Sequence, residues 1–199
     1  MIADLLTLGI AVLILLGSPG PAPMALAGVG AAYGPRRGLP FLIGLIVAAG
    51  IVMLLSSLGV AALLSASASV RVFLQIIAAA YILFLALRVY RGAGGPEGAA
   101  ASKVPGFFDG FILNLINPKA YAAFAAIFAS FGIRHSDPAV SAMMTAGVTF
   151  LLLCLIDAIW LAAGGFFKRL TNDPSWGKGI RAAFAVMMAA AGLYSLTRL

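Results

Sequence analysis

The sequence predicts an all-α integral membrane protein with six transmembrane helices, arranged as two three-helix repeats of inverted topology. Three observations support this prediction. The 199-residue chain is 63% hydrophobic and 10% charged, with a mean hydropathy of +1.09, whereas soluble domains are only about half apolar. Its apolar residues form six runs, each long enough to cross the roughly 30 Å hydrocarbon core of a bilayer. Prolines interrupt the first and the fourth of these runs.

The six runs account for the predicted helices, and they cover residues 4–33, 39–65, 70–90, 107–131, 139–166 and 180–197. Turn-forming stretches separate them, at residues 34–38, 65–69, 137–138 and 171–174. Segment 92–106 is rich in Gly, Ala and Pro and lacks apolar periodicity, so we expect a flexible linker there. This linker divides the chain into a first three-helix repeat (1–91) and a second (107–199).

The first run also resembles the hydrophobic region of a signal peptide, with residues 25–27 in the place of a cleavage site. Its N-terminal region carries Asp4 and no Lys or Arg, and prolines lie between the run and this site. These features disagree with the signal-peptide pattern, so we expect the run to be retained as a span.

Basic residues are distributed unequally between alternate loops, and this sets the orientation. The N-terminus, the second and fourth loops and the C-terminus hold Arg71, Arg134 and Arg198. The other three loops and their flanks hold nine: Arg36, Arg37, Arg88, Arg91, Lys103, Lys168, Arg169, Lys178 and Arg181. Because Lys and Arg concentrate on the cytoplasmic side, we predict a cytoplasmic linker and both termini outside. The two halves then have opposite topologies, as in transporters built from inverted repeats.

Both proline breaks approach the middle of a predicted span. The first contains Pro19, Gly20 and Pro21, and the second contains Pro118. The half-helices that begin after them would point positive dipole ends and unpaired N–H groups into the membrane centre, where a carboxylate could be held. The alternative is that both prolines only kink helices for packing, as often happens in membrane spans.

Lys119 follows the second break directly and lies near the midplane of the predicted span. A charge at this depth costs about 3 kcal/mol on insertion scales, so its side chain should face protein or water rather than lipid. As a functional residue it would bind a substrate carboxylate or pair with an acid that exchanges protons. As a structural residue it would cap the carbonyls freed by Pro118.

Three further polar residues lie at a similar depth. Asn114 and Asn117 are three residues apart on one helix face and can present their amides to one cavity, or they can act as polar contacts between helices. Asp157 can reach the same site from the fifth span, as a proton carrier or as a counter-ion that only neutralises Lys119. Asp109 lies close to a span end, and we expect it at the membrane interface.

Composition excludes several other classes of function. With one histidine (His135), one cysteine (Cys154) and no acidic cluster, the sequence supports no metal site and no cofactor. Aromatic residues are not interleaved with the basic ones, so we expect no nucleic-acid partner. Acid, base or nucleophile candidates within the spans are almost limited to Asp157 and Lys119, which argues against an enzyme.

Small residues are abundant on the second and sixth spans and allow close helix approach. They include Gly44, Ala48, Ala49 and Gly50, and then Ala182, Ala183, Ala185, Ala189, Ala190, Ala191 and Gly192. Ordinary packing within the bundle and a homodimer face are both open interpretations.

Two sequence blocks resemble the LysE/RhtB family of amino-acid exporters. The first is Ser18-Pro19-Gly20-Pro21-Ala22, followed by a Gly-Pro-Arg-Arg-Gly-Leu loop at 34–39 and by Gly44 and Gly50. The second is Leu113-Asn114-Leu115-Ile116-Asn117-Pro118-Lys119-Ala120. Tyr81, Leu85 and Arg88 fit the family's third span. Order and spacing agree over nearly the whole chain.

The resemblance implies a secondary transporter of the bacterial inner membrane that exports amino acids or similar metabolites with the proton gradient. It assigns motif status to Pro19, Gly20, Pro21, Asn117, Pro118 and Lys119. Members that export lysine or arginine tend to have an acid in the second span, and residues 39–65 contain none, which argues against a cationic substrate. Asp157 belongs to no family motif.

We therefore predict alternating access around a midplane cavity between the first and fourth spans. Lys119 and the half-helix N-termini would bind the substrate carboxylate, and Asp157 would couple to protons. Two alternatives stay open at this point: an exporter of a metal ion or toxic compound, and a membrane scaffold subunit.

Overall fold

The computed structural model describes residues 2–58, 68–91 and 104–171, together with scattered positions between 179 and 193. These residues contain α-helices and no strand, which confirms the predicted all-α class for this part of the chain. The helices are α1 (Ile2–Leu15), α2 (Pro21–Tyr33), α3 (Pro35–Ser57), α4 (Ala68–Arg91), α5 (Phe107–Leu115), α6 (Pro118–Ser130) and α7 (Pro138–Thr171). Most of the predicted linker at 92–106, all but the first residue of the stretch at 171–174 and most of the sixth predicted span lie outside the described residues.

Two described helices, α3 and the Pro138–Phe166 part of α7, are long and apolar enough to cross a membrane by themselves. The pair α5 and α6 forms a third candidate span, bent by 61° at its break. Helix α1 is a shorter apolar helix, and residues 16–20 separate it from α2. Both predicted breaks are therefore present in the structure.

Hydrophobic side chains cover the outward faces of these helices. Exposed apolar residues include Ile43, Val47, Ile51 and Leu54 on α3 and Leu151, Leu155 and Ile159 on α7. Soluble monomers rarely expose continuous apolar surfaces of this kind, whereas lipid-facing helices require them. The exposed faces thus agree with a membrane location.

The first break begins at the C-terminal end of α1, where the regular helical hydrogen bonds stop. The N–H groups of Leu16 and Gly17 both donate to the carbonyl of Val12, at 2.9 and 3.2 Å. Gly20 is fully extended, and Pro21 occupies the first turn of α2. Proline suits this position because its fixed φ matches a helix and its missing N–H would be unpaired there anyway.

Glycines allow the helix backbones to touch at two crossings. At the crossing of α3 with α5, a β-carbon on Gly44 would overlap the carbonyl of Phe107, and one on Gly110 would overlap the carbonyl of Phe41. At the crossing of α2 with α7, a β-carbon on Gly30 would overlap the carbonyl of Leu161, and one on Gly164 would overlap the carbonyl of Ala27. Gly44, Ala48 and Ala49 are buried within the chain, so packing inside the bundle uses this small-residue face of the second span.

The packing is reciprocal between the two halves of the chain. Helix α3 packs against both α5 and α6, on either side of the second break. Helix α7 packs against both α1 and α2, on either side of the first break. Each unbroken helix therefore supports the broken helix of the other half.

The glycine crossings make a direct prediction about stability. We expect Gly110→Ala to lower the thermal unfolding temperature in detergent, since overpacking costs about 1–3 kcal/mol and exceeds the roughly 1 kcal/mol by which alanine favours a helix. The matched control is Gly147→Ala in α7, where an added β-carbon meets nothing within 4 Å and the unfolding temperature should stay the same or rise. Equal unfolding temperatures for the two variants would contradict this packing.

Candidate functional site

A small cavity lies between the two breaks. Its volume is about 20 Å³, which is room for one water molecule. Its walls come from the end of α1, the start of α2, the α5–α6 break, Leu45 of α3 and two residues of α7, Leu153 and Asp157. Asn114, Asn117, Lys119 and Asp157, which the sequence predicts to share one site, all line it.

The ammonium group of Lys119 bonds to the first break, on the other half of the chain. Its Nζ donates to the carbonyl of Ser18 at 2.7 Å and lies 2.9 Å from the Ser18 hydroxyl. The lysine side chain passes directly over Gly20, where a β-carbon would lie 2.9 Å from both Cδ and Nζ. The interpretation that Lys119 caps carbonyls freed by Pro118 is therefore wrong, because it caps a carbonyl freed at the other break.

The two asparagines form a chain of amide hydrogen bonds across the second break. Asn117 Oδ1 accepts from the N–H of Lys119 at 3.1 Å and so caps α6. Its Nδ2 donates to Asn114 Oδ1 at 3.4 Å, and Asn114 Nδ2 donates to the carbonyl of Leu45 at 3.1 Å. The amides both line the cavity and join the break to α3.

The helix starts offer fewer free N–H groups than the sequence predicts. In α6, Pro118 has no N–H, and the N–H groups of Lys119 and Ala120 both donate to Asn117. The prediction of unpaired N–H groups is therefore wrong for α6, because the asparagine before the proline satisfies them. Pro21 and Pro23 occupy two of the first three positions of α2 and have no N–H. Only the N–H of Ala22 is therefore left there to meet a ligand.

Asp157 is buried, with 2% of its surface exposed, and its Oδ2 atom has no hydrogen-bond partner. Although it lines the same cavity as Lys119, the two form no ion pair within the described structure, since the lysine is bound to Ser18. A buried carboxylate oxygen without a partner is unfavourable. The site therefore holds an acceptor that is available to a proton or to a cationic group.

Two aromatic residues whose positions the sequence does not predict also stabilise the breaks. Trp160 Nε1 donates to the carbonyl of Gly17 at 3.2 Å, and the hydroxyl of Tyr121 donates to the carbonyl of Leu115 at 2.9 Å. The position of Trp160, three residues after Asp157 on the same helix face, is the sequence signal that could have found it.

Asp109 contributes to the start of α5 rather than to the cavity. Its carboxylate accepts from the N–H of Gly106 at 2.7 Å, and the Tyr81 hydroxyl lies 3.0 Å from its backbone carbonyl. This cap holds the entry of the fourth span against α4.

Comparison with known proteins identifies the family. The family model described as LysE type translocator matches residues 11–198. The chain belongs to the LysE type translocator family. It is a transmembrane transporter of an exporter family, and the resemblance seen in the sequence is confirmed.

Two bacterial proteins are similar in sequence to this LysE-type chain. An uncharacterized membrane protein of Pseudomonas aeruginosa is 33% identical over 168 residues, covering 78% of the chain and 74% of the relative. The homoserine/homoserine lactone efflux protein of Salmonella typhimurium is 26% identical over 183 residues, covering 90% of the chain and 86% of the relative. No solved structure shows a significant match.

The asparagine cap makes a prediction about the second break. We expect Asn117→Ala to lower the free energy of unfolding by about 1 kcal/mol, because the N–H of Lys119 loses its acceptor inside the protein. Asn117→Ser is the matched control, since serine can accept the same bond and should recover most of the loss. Thermal unfolding in detergent measures both variants, and equal losses would show that the cap is not what stabilises α6.

Proposed function

We propose that the protein exports a small zwitterionic amino acid across the bacterial inner membrane in exchange for protons, by alternating access around the cavity between the two breaks. The observation that carries this proposal is that Lys119 and Asp157 line one cavity without pairing with each other. A partly buried cation and a buried anion held apart in this way are complementary to the two ends of a zwitterion.

The substrate contacts follow from the charges. The α-carboxylate would bind the Lys119 ammonium and the N–H of Ala22, and the α-ammonium would bind Asp157. Asn114 and Asn117 already use much of their hydrogen-bonding capacity within the protein, so they would shape the site more than they would hold the substrate. Charged groups in a membrane are tolerated where partners neutralise them, which the substrate would do for both residues.

Substrate binding requires the cavity to open. Its volume of about 20 Å³ is far below what an amino acid needs, so the surrounding helices must separate before the substrate enters. The contact of Lys119 with Ser18 would then be the substrate-free arrangement, and the substrate carboxylate would replace Ser18 as the partner of the ammonium.

Proton coupling would arise from competition at Asp157. Its carboxylate can carry either a proton or the ammonium group of the substrate, but not both at once. Asp157 would therefore bind a proton only after it has released the substrate outside, and the protein would exchange substrate for protons. Export would be driven by protons returning to the cytoplasm.

The proposed architecture places the site between two inverted repeats, residues 1–91 and 107–199, with the linker in the cytoplasm and both termini in the periplasm. The reciprocal support of each broken helix by the other half favours this arrangement. Discontinuous helices that meet at a polar site are typical of such transporters.

For the cargo we propose homoserine or another small neutral amino acid. The efflux protein of Salmonella typhimurium, which covers most of the chain, is named for homoserine and its lactone. The second span lacks an acid, and the described residues contain no group of three metal-ligand side chains. These observations therefore do not support a cationic amino acid or a metal ion as the exported cargo.

We expect Lys119→Ala to abolish homoserine efflux from proteoliposomes while membrane insertion is retained, because no other charged donor of the described residues lines the cavity. Lys119→Arg should keep part of the activity, since it preserves the charge. The control is Arg37→Ala, which removes an exposed cation away from the cavity. Undiminished efflux by Lys119→Ala would overturn the assigned role, and homoserine lactone, which lacks the carboxylate, should depend less on Lys119.

Asp157→Asn should separate transport from the proton gradient. Asparagine can still bind an ammonium group but cannot carry a proton, so homoserine exchange should persist at lower affinity while efflux stops responding to an imposed pH gradient. Asp137→Asn is the control, because Asp137 is exposed and asparagine can also cap α7. An unchanged gradient response in Asp157→Asn would place the coupling elsewhere.

A further inference from the structure

Helix α7 carries a line of polar residues that the proposed substrate site does not use. Ser141, Thr145 and Thr149 follow one another at four-residue spacing, and the same spacing leads through Leu153 to Asp157. Thr145 and Thr149 are buried, with 1% and 0% of their surfaces exposed. Residues four apart lie on neighbouring turns and are displaced by about 40° around the helix, so these side chains form one stripe that winds gradually around α7.

Thr149 differs from the other two hydroxyl residues. Thr145 donates to the carbonyl of Ser141 at 2.8 Å and accepts from the N–H of Ile133 at 2.9 Å. The hydroxyl of Thr149 has no hydrogen-bond partner in the described structure. An unpaired buried hydroxyl costs about 1–3 kcal/mol, and valine would fill the same space without that cost. Packing alone therefore favours valine at this position.

The two ends of the stripe meet different surroundings. Ser141 is partly exposed and donates its hydroxyl to the carbonyl of Ile133, in the loop after α6 that we predict to be periplasmic. At the other end, Asp157 Oδ2 is also unpaired. The polar groups that share the cavity with Asp157 are Lys119, Asn114 and Asn117 from the second break, and Cys154 is its neighbour on α7.

We infer that protons reach Asp157 from the outside along the α7 stripe, through the hydroxyls of Ser141, Thr145 and Thr149, and that Leu153 closes this route in the observed conformation. The inference rests on the proposed exchange of substrate for protons. Water molecules between the hydroxyls complete the route. Each hydroxyl oxygen accepts a proton from the outer side and releases its own proton toward the next group. The last transfer forms an O–H bond on the Asp157 carboxylate.

Leu153 is the interruption in the stripe. Thr149 and Asp157 are eight residues apart, or about 12 Å along the helix, too far for a hydrogen bond. The side chain between them is apolar, buried and part of the cavity wall. An exchanger needs such a barrier, because a route that stays open while the cavity faces the cytoplasm would leak protons without moving substrate.

A leak assay tests the route without any substrate. We expect Leu153→Ser in proteoliposomes to collapse an imposed pH gradient severalfold faster than the wild type, as followed with an internal pH-sensitive dye, because the serine hydroxyl completes the stripe. Adding Thr149→Val should return the rate to the wild-type value. Leu155→Ser is the matched control, since that side chain is exposed on the apolar outer surface.

A second measurement covers the case in which Leu153→Ser does not fold. In the native background, Thr149→Val should lose the response of homoserine efflux to the pH gradient but keep homoserine counterflow, with an unfolding temperature equal to or above that of the wild type. Thr149→Ser, which restores the hydroxyl, should keep all three. A purely structural role of Thr149 would change efflux and counterflow together.

The outcomes separate this inference from the proposed function. No leak in a folded Leu153→Ser protein, a leak that persists with Thr149→Val, or a full gradient response in Thr149→Val would each overturn the route. A wild-type protein that moves no homoserine would overturn the proposed cargo instead, and the leak assay would still decide the route.

Discussion

The structure depends on satisfying the backbone where two helices break inside an apolar bundle. A break exposes carbonyl and N–H groups that neither the helix nor water can pair, and each such group is costly. Side chains supply the partners here: Trp160 for Gly17, Lys119 for Ser18, Tyr121 for Leu115 and Asn117 for Lys119. Two of these residues, Lys119 and Asn117, also line the cavity, so part of the cavity wall is what makes the breaks possible.

This double role links stability to transport. If Lys119 leaves Ser18 for a substrate, the Ser18 carbonyl loses its partner, so binding has to offset that loss. A ligand can shift the conformations only by as much as it binds one better than the other. Because the lysine and its partner lie in different halves of the chain, the exchange of partners would loosen the contact between those halves when the substrate arrives.

Local chemistry made much of the fold predictable. Prolines and apolar runs fix the positions of both breaks, and counting residues along the spans brings Asn114, Asn117, Lys119 and Asp157 to one depth. Partners distant in sequence could not be predicted, because the Lys119 bond to Ser18 spans 101 residues and the Trp160 bond to Gly17 spans 143. The N–H groups of α6 differ from the prediction for a local reason, since Asn117 both lines the cavity and caps the helix. Nothing in the sequence separates Thr149 from other buried threonines.

The passage of Lys119 over Gly20 couples two positions that are distant in the sequence. Position 18 offers its backbone carbonyl to the lysine whatever its side chain, so a substitution there would remove only the contact with the Ser18 hydroxyl. Position 20 is more constrained, since a β-carbon would lie 2.9 Å from the Cδ and Nζ atoms of the lysine and would make the end of that side chain shift. A side chain at position 20 would therefore move the ammonium group relative to the Ser18 carbonyl, so a change there would act on the hydrogen bond made from position 119.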